Sequence, residues 1–179
     1  SSFTKDGTGL LVLIGNNLFT GVLTIGAGTL RLGNGTTSGS LVGSVVNNGV
    51  FEINRTTNLT LAGIISGTGS LVKNATNTLL LTGVNSYAGV TTINDGVIHA
   101  SANNALGTGV LTIGPNGNST TARLNLSGNI TLSNAISLPM RNTTTASVLN
   151  VSGTNTLAST MTLNVGGENA IFQSDSGLL

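Results

Sequence analysis

The chain has 179 residues, of which 6% are charged and 3% aromatic, and its formal net charge is +1. So small a basic surplus, without interleaved aromatic residues, argues against a nucleic-acid partner. There is no cysteine, hence no disulfide and no Cys-ligated metal, and no apolar run approaches the ~18 residues needed to span a bilayer.

Taken in chain order, apolar residues alternate at Leu11/Leu13, at Val22-Leu23-Thr24-Ile25 and at Thr29-Leu30-Arg31-Leu32. They do so again at Leu59-Thr60-Leu61, Leu79/Leu81, Leu111-Thr112-Ile113 and Leu124-Asn125-Leu126. Alternation over a few residues, bounded by Gly, Asn and Ser, predicts short strands, and no window has the spacing and caps of a helix longer than a turn. Apolar residues make up 39% of the chain, which is incompatible with disorder at this low net charge. With 26 Gly and 23 Asn, the turns have residues that tolerate positive φ. Pro115 and Pro139 are expected at corners.

The phrase Leu-x-Leu-x-Gly-x-Asn occurs at Leu11-Leu13-Gly15-Asn17 and again at Leu79-Leu81-Gly83-Asn85, with an echo at Leu149-Val151-Gly153-Asn155. Residues 2–32 align without a gap on 70–100, and 12 of the 31 positions are identical, among them Lys5/Lys73, Asn17/Asn85 and Gly28/Gly96. Shorter versions at Leu59-Leu61-Gly63 and Leu124-Leu126-Gly128 give a unit of ~23 residues, a period that signals a repeat architecture. A unit this short cannot close a core alone; it buries its apolar side chains by stacking. The expected fold is therefore an all-β right-handed parallel β-helix (β-solenoid) of about eight coils, ~35–40 Å long at the spacing of paired strands. Residues 1–179 are expected to form a single segment of a longer repeat protein, with internal repeats at about 2–69, 70–139 and 140–179. Leu11, Leu13, Ile25, Leu61, Leu79, Leu81, Ile93, Leu124, Leu126 and Val151 are expected to point inward. Asn17, Asn85 and Asn155 are read as equivalent positions about three coils apart.

The charged residues offer little chemistry. The acids are Asp6, Glu52, Asp95, Glu168 and Asp175. Glu52 and Asp95 are expected on one face but two coils apart, roughly 10 Å by strand spacing and too far for joint Ca²⁺ ligation. His99 aligns with Arg31 at an outward position and has no His or Cys partner and no triad context. Lys5 and Lys73 read as coil-edge residues reaching solvent, and Arg31 and Arg55 as stacked neighbours. Gly7-Thr8-Gly9 and Gly107-Thr108-Gly109 lack the Lys and helix of a phosphate loop and read as corners. No catalytic, cofactor-binding or metal-binding residue is expected, and the chain reads as a non-enzyme. Nine Asn-x-Ser/Thr sequons, including Asn34, Asn54, Asn58, Asn74 and Asn150, are of a number that composition alone would produce. Threonine runs such as Thr91-Thr92 and Thr143-Thr144-Thr145 raise an ice-binding reading, but the unequal gaps between units are expected to spoil the required lattice.

The phrases Gly69-Ser70-Leu71-Val72-Lys73 and Thr78 to Gly96 closely resemble the autotransporter-associated β-strand repeat, and Thr8-Gly9-Leu10 through Gly28-Thr29-Leu30 is a second match. Asn47 to Arg55 and Ala102 to Gly107 are similar to the segments that link such repeats. Departures are modest: Ala88 stands for the usual Gly or Thr, and Phe19 for Tyr. The resemblance covers about residues 2–114 well and 120–179 more loosely. It implies a right-handed parallel β-helix exposed on the bacterial cell surface or secreted. The absence of cysteine suits a chain that crosses membranes unfolded. The expected role is a structural rod, stalk or head-to-tail fibre whose partners are neighbouring repeats or further copies of itself. The alternative is an adhesin passenger binding a host, glycan or abiotic surface, against which stand a lone Tyr87 and the lack of a long insertion.

Overall fold

The computed structural model describes residues 1–18, 20–114, 121–139, 145–163 and 170–179. Pro115, Arg141, Glu168, Thr143, Thr144 and Phe19 therefore lie outside the described residues. The described residues contain no helix; they form short strands wound into eight coils. The first coil carries β1 (Phe3–Lys5) and β2 (Leu10–Leu13), the second β3 (Leu23–Ile25) and β4 (Thr29–Thr36). The third carries β5 (Val45–Asn47), β6 (Val50–Arg55) and β7 (Leu59–Leu61), the fourth β8 (Ile65–Ser66), β9 (Ser70–Asn74) and β10 (Thr78–Leu81). The fifth has β11 (Thr91–Ile93) and β12 (Val97–Ala100), the sixth β13 (Leu111–Ile113) and β14 (Arg123–Leu126). The seventh has β15 (Thr131–Leu132), β16 (Ile136–Leu138) and β17 (Val148–Asn150), and the eighth β18 (Thr156–Leu157), β19 (Met161–Leu163) and β20 (Phe172–Ser174).

Every pairing between these strands is parallel, and each strand meets its counterpart one coil away, so the coils have three faces. The second face is one unbroken sheet of eight strands, β2-β4-β6-β9-β11-β13-β16-β19. The third is β7-β10-β12-β14-β17-β20, preceded by the bridge between Asn16 and Ser40. The first face holds β1-β3-β5-β8 and, higher up, β15-β18. Between those two sheets the ladder continues without regular strands, Ser86 N–H donating to Ile65 O and Thr108 N–H to Tyr87 O. The chain is an all-β parallel solenoid of about eight turns.

The unit of ~23 residues resolves into coils of unequal length. Leu71, Thr91 and Leu111 stack at intervals of 20 residues, as Asn74 and Asn94 do. Leu111, Ile136 and Met161 stack at intervals of 25, as Asn129 and Thr154 do. The added length sits in one place, the link from the second face to the third. Residues 94–96 suffice between β11 and β12, but 114–122 join β13 to β14 and 139–147 join β16 to β17. Strand register on the faces is kept because the surplus is taken up at a corner.

The core is aliphatic, as period-two alternation requires. In β3, β7, β11, β13 and β16 the outer residues of each triplet are buried and the middle one less so. Ile25, Leu61, Leu79, Leu81, Ile93, Leu124 and Leu126 are all core residues, while Leu11 and Leu13 in the first coil are partly buried against it. Full burial of each such side chain is worth ~1.5–3 kcal/mol. Val151 departs from expectation. Aligning Leu149-Val151 on Leu11-Leu13 put the wrong residues inside. In β17 it is Val148 and Asn150 that point inward at 0% exposure, and Val151 follows the strand half-buried. A slip of one residue inverts a strand, and here an inward asparagine broke the apolar pattern.

Candidate functional site

The polar groups that matter most lie inside the coil corners. A corner turns the backbone away from the ladder and leaves carbonyls facing inward, where no water reaches them; each needs a donor. Lys73, at 0% exposure, supplies three. Its Nζ donates to Asn74 O at 2.9 Å, Ala75 O at 2.6 Å and Asp95 O at 3.2 Å. Lys5 does the same at its own corner, donating to Asp6 O, Gly7 O and Ala27 O. Both lysines were expected to reach solvent; both are instead buried, because an ammonium with three donors and no acceptor matches three converging carbonyls. Burial pushes the Lys73 ammonium down to about 8, partly offset by the Asp95 carboxylate.

Other corners use other donors. Arg55 is turned inward, its guanidinium donating to Gly39 O, Thr37 O and Thr57 O. Asn134 Nδ2 reaches Gly109 O at 2.8 Å and Gly107 O at 3.2 Å, and Asn150 Nδ2 reaches Gly153 O, Ser176 O and Leu178 O. Asn85 and Asn155 sit on one corner three coils apart. Asn85 Oδ1 accepts from Ile65 N–H and its Nδ2 donates to Ala105 O; Asn155 Oδ1 accepts from Ile130 N–H. Asn17 plays the same part on a different corner, donating to Gly15 O and Ser40 O. The repeated phrase thus encodes a corner and not a fixed face.

The strand assignments make that shift explicit. Residues 3–32 run through β1, β2, β3 and β4, which alternate between the first and second faces. Residues 71–100 run through β9, β10, β11 and β12, which alternate between the second and third. The offset between the two copies is three coils plus one face, so Leu11 and Leu79 belong to different sheets.

The residues weighed for chemistry are dispersed. Arg31 and Arg55 are not stacked neighbours. Arg31 lies opposite Glu52 and pairs with it at 2.9 Å, whereas Arg55 lies opposite Thr36 and enters a corner. Glu52 also accepts from Asn74 Nδ2, and Asn94 Nδ2 donates to Asn74 Oδ1, so a short polar ladder climbs one edge. Asp95 is occupied at its own turn, accepting from Gly96 N–H and Thr121. Among the described residues no three His, Cys, Asp or Glu side chains gather as a metal site. His99 packs outward on β12 with its Nε2 at 2.8 Å from Ser127 Oγ, and partial burial lowers its pKa. Gly7 and Gly107 take φ of 75° and 63°, as corners require. Tyr87 is fully buried, its hydroxyl 2.6 Å from Thr91 Oγ1.

Unequal gaps are not what limits a threonine lattice on the surface, although the column of hydroxyls ends at Val72. Thr92, Thr112, Ser137 and Thr162 stand in register across four coils of the second face, although the coils they belong to differ in length. Unequal spacing does not spoil this column of hydroxyls, because the surplus residues lie elsewhere.

The model of the passenger-associated-transport-repeat family matches the chain twice, over residues 3–32 and 71–100. Both stretches match an autotransporter passenger repeat. No curated protein and no solved structure matches the chain. The two family matches are the same two stretches that the corner lysines Lys5 and Lys73 anchor, one face apart. The internal donors at Arg55, Asn134 and Asn150 escaped the sequence reading because isolated polar residues look like surface. The available signal was that Lys5 and Lys73 are the one charged pair among the identical positions of the two copies.

Proposed function

We propose that the chain is a rigid rod or stalk segment of an autotransporter passenger, acting outside the cell. The observation that carries this reading is the eight-stranded second face, a single parallel ladder along the whole stack, with its corners satisfied from within by Lys, Arg and Asn. Pulling such a stack apart breaks a whole coil of hydrogen bonds at each step, and among the described residues no outward cluster of chemistry competes with that role.

Head-to-tail growth extends the same reading. The last coil leaves a cavity of about 580 Å³ lined in part by Leu157, Met161, Phe172, Leu178 and Leu179. The first coil presents the unpaired edge of β2, with Leu10 exposed and Leu11 and Leu13 partly buried. Apolar, unpaired edges are templates for a further coil, supplied by neighbouring repeats or by another copy. Electron microscopy of the native assembly is the test. Unbranched rods of solenoid width support the proposal, and compact particles bearing the segment as a side domain defeat it.

A second reading, adhesion, is favoured by one feature. Gly21, Gly43, Gly63 and Gly83 stack at one corner, and Val22, Ile64 and Val84 beside them are 42%, 50% and 58% exposed. Ser44 stands between Val22 and Ile64, so the continuous apolar pair is Ile64 and Val84, which suits an uncharged abiotic surface better than a charged host one. Retention of the segment on hydrophobic beads, lost in a Val22→Ser, Ile64→Ser, Val84→Ser variant, would reverse the order of the two readings.

A further inference from the structure

Three Asn-Gly pairs occur in the chain, Asn34-Gly35, Asn48-Gly49 and Asn116-Gly117, the last outside the described residues. The structure treats the other two differently. Pairing of β4 with β6 runs to Leu32–Ile53 and resumes at Thr36–Arg55, and β2 ends opposite Leu32. Asn34 and Gly35 therefore have no register partner on either side. Asn34, Gly35 and Thr36 are exposed, and Gly33 and Gly35 take φ of 87° and 82°. Asn34 Nδ2 makes no hydrogen bond among the described residues, while Thr36 Oγ1 donates to Asn34 Oδ1 at 2.6 Å. A Cβ at Gly35 would meet only Asn54 Oδ1, at 3.8 Å, so the space beside Gly35 is open.

Asn48 is exposed but held. Its Oδ1 accepts from Thr68 N–H at 3.2 Å, and its own N–H donates to Ile25 O. Gly49 N–H is engaged by Asn47 Oδ1 at 3.2 Å, and the Gly49 backbone is wedged against Gly28 O.

We infer that Asn34 is a site of spontaneous covalent modification, at which its side-chain amide is converted to aspartate and isoaspartate with water as the only reagent. The Gly35 backbone nitrogen, its proton passed to hydroxide, attacks Cγ of Asn34. A C–N bond forms, closing a five-membered ring, and the carbonyl electron pair moves onto Oδ1. The Thr36 hydroxyl already points at that oxygen and stabilises the charge as it develops. Collapse expels Nδ2, which leaves with a proton as ammonia, and a cyclic imide remains. Water then adds to either imide carbonyl. Breaking the Cγ–N bond gives aspartate; breaking the bond from the main-chain carbonyl to nitrogen leaves the chain running through the side chain as isoaspartate. Amide and water become carboxylate and ammonium, with no change of oxidation state. Either product adds an anion to a chain that has five acidic residues.

The test follows the 179-residue chain in heavy-oxygen water near neutral pH at body temperature, by peptide mass spectrometry and anion exchange. The peptide containing Asn34 is expected to take up labelled oxygen at least about ten times faster than that containing Asn48, with Thr36→Val slowing it about threefold or more. In urea, where both pairs lose their surroundings, the two rates are expected to converge. Equal rates for Asn34 and Asn48 in the folded chain would overturn the assignment, and an undiminished rate in a folded Thr36→Val variant would overturn the role of the hydroxyl. Neither measurement depends on the rod or adhesin reading.

Discussion

Three backbone carbonyls converge on the Lys73 ammonium, and removing that donor strands all of them in a dry corner. Lys73→Ala is expected to cost about 2–4 kcal/mol from unsatisfied acceptors and the space left behind, read as a lower urea midpoint by circular dichroism. The same residue gives the fold a pH signature. Its folded pKa is about 8 against an ordinary 10.5, so between those values the unfolded chain holds a proton that the folded chain has released. Stability should rise with pH through that window. The neutral amine still keeps two donors for the corner. Burial raises the Tyr87 phenol, so above its ordinary value of 10 the unfolded chain ionises first and stability falls again. A Lys73→Met variant should lose the rise but keep the fall, and urea titrations at stepped pH would show it. A rise that survives in Lys73→Met would dismiss the lysine as its source. Leu81→Asp, which buries an unpaired charge at a fully buried position, should cost several kcal/mol; an unchanged melting curve would contradict its inward placement.

At the scale of strands and turns, close stacking of corners selects glycine for space as much as for φ. A Cβ on Gly89 would run into the Gly69 carbonyl, and one on Gly109 into that of Gly89, although neither residue has positive φ. Gly9, in the first coil, has nothing within 4 Å of such a Cβ. Gly89→Ala is expected to lower the melting temperature by several degrees, consistent with a loss of roughly 2 kcal/mol, while Gly9→Ala stays within about 0.5 kcal/mol of the parent. Calorimetry on the pair checks this, and equal melting temperatures would show that the coils are looser than drawn. These elements were legible in the sequence to different degrees. Strands such as Leu111-Thr112-Ile113 announce themselves by alternation, and the phrase around Leu79 marks a corner. The interior donors Arg55 and Asn150 were not legible, since a polar residue gives no sign of which way it points until the carbonyls around it are known. Asn150 in particular reversed the reading of its strand and misplaced Val151. The interval between coils was blurred as well. Averaging the short coils around Thr91 with the long ones around Ile136 returns a unit that neither kind has.

At the scale of the whole segment, the exposed edges of its first and last coils set the behaviour expected in solution. The purified segment is expected to self-associate at micromolar concentration, with sedimentation coefficients that grow with loading, because the last coil's cavity and the first coil's edge are complementary in chemistry. A concentration-independent monomer would confine the segment to a spacer within one chain. The class of fold was legible at this scale because stacking is the only way so short a unit can bury its leucines. The rotation between the two long repeats was not, since an ungapped alignment of residues 2–32 on 70–100 says nothing about which side of the stack each copy occupies. That rotation has a geometric sequel. The two family copies mark neighbouring sides of the stack, three coils and one face apart, while the echo at Leu149 lies in the same sheet as Leu79, three coils on with no change of face. A partner that reads the motif would therefore meet it on two neighbouring sides of the shaft, at different heights, and the shaft has a marked side and a plain one.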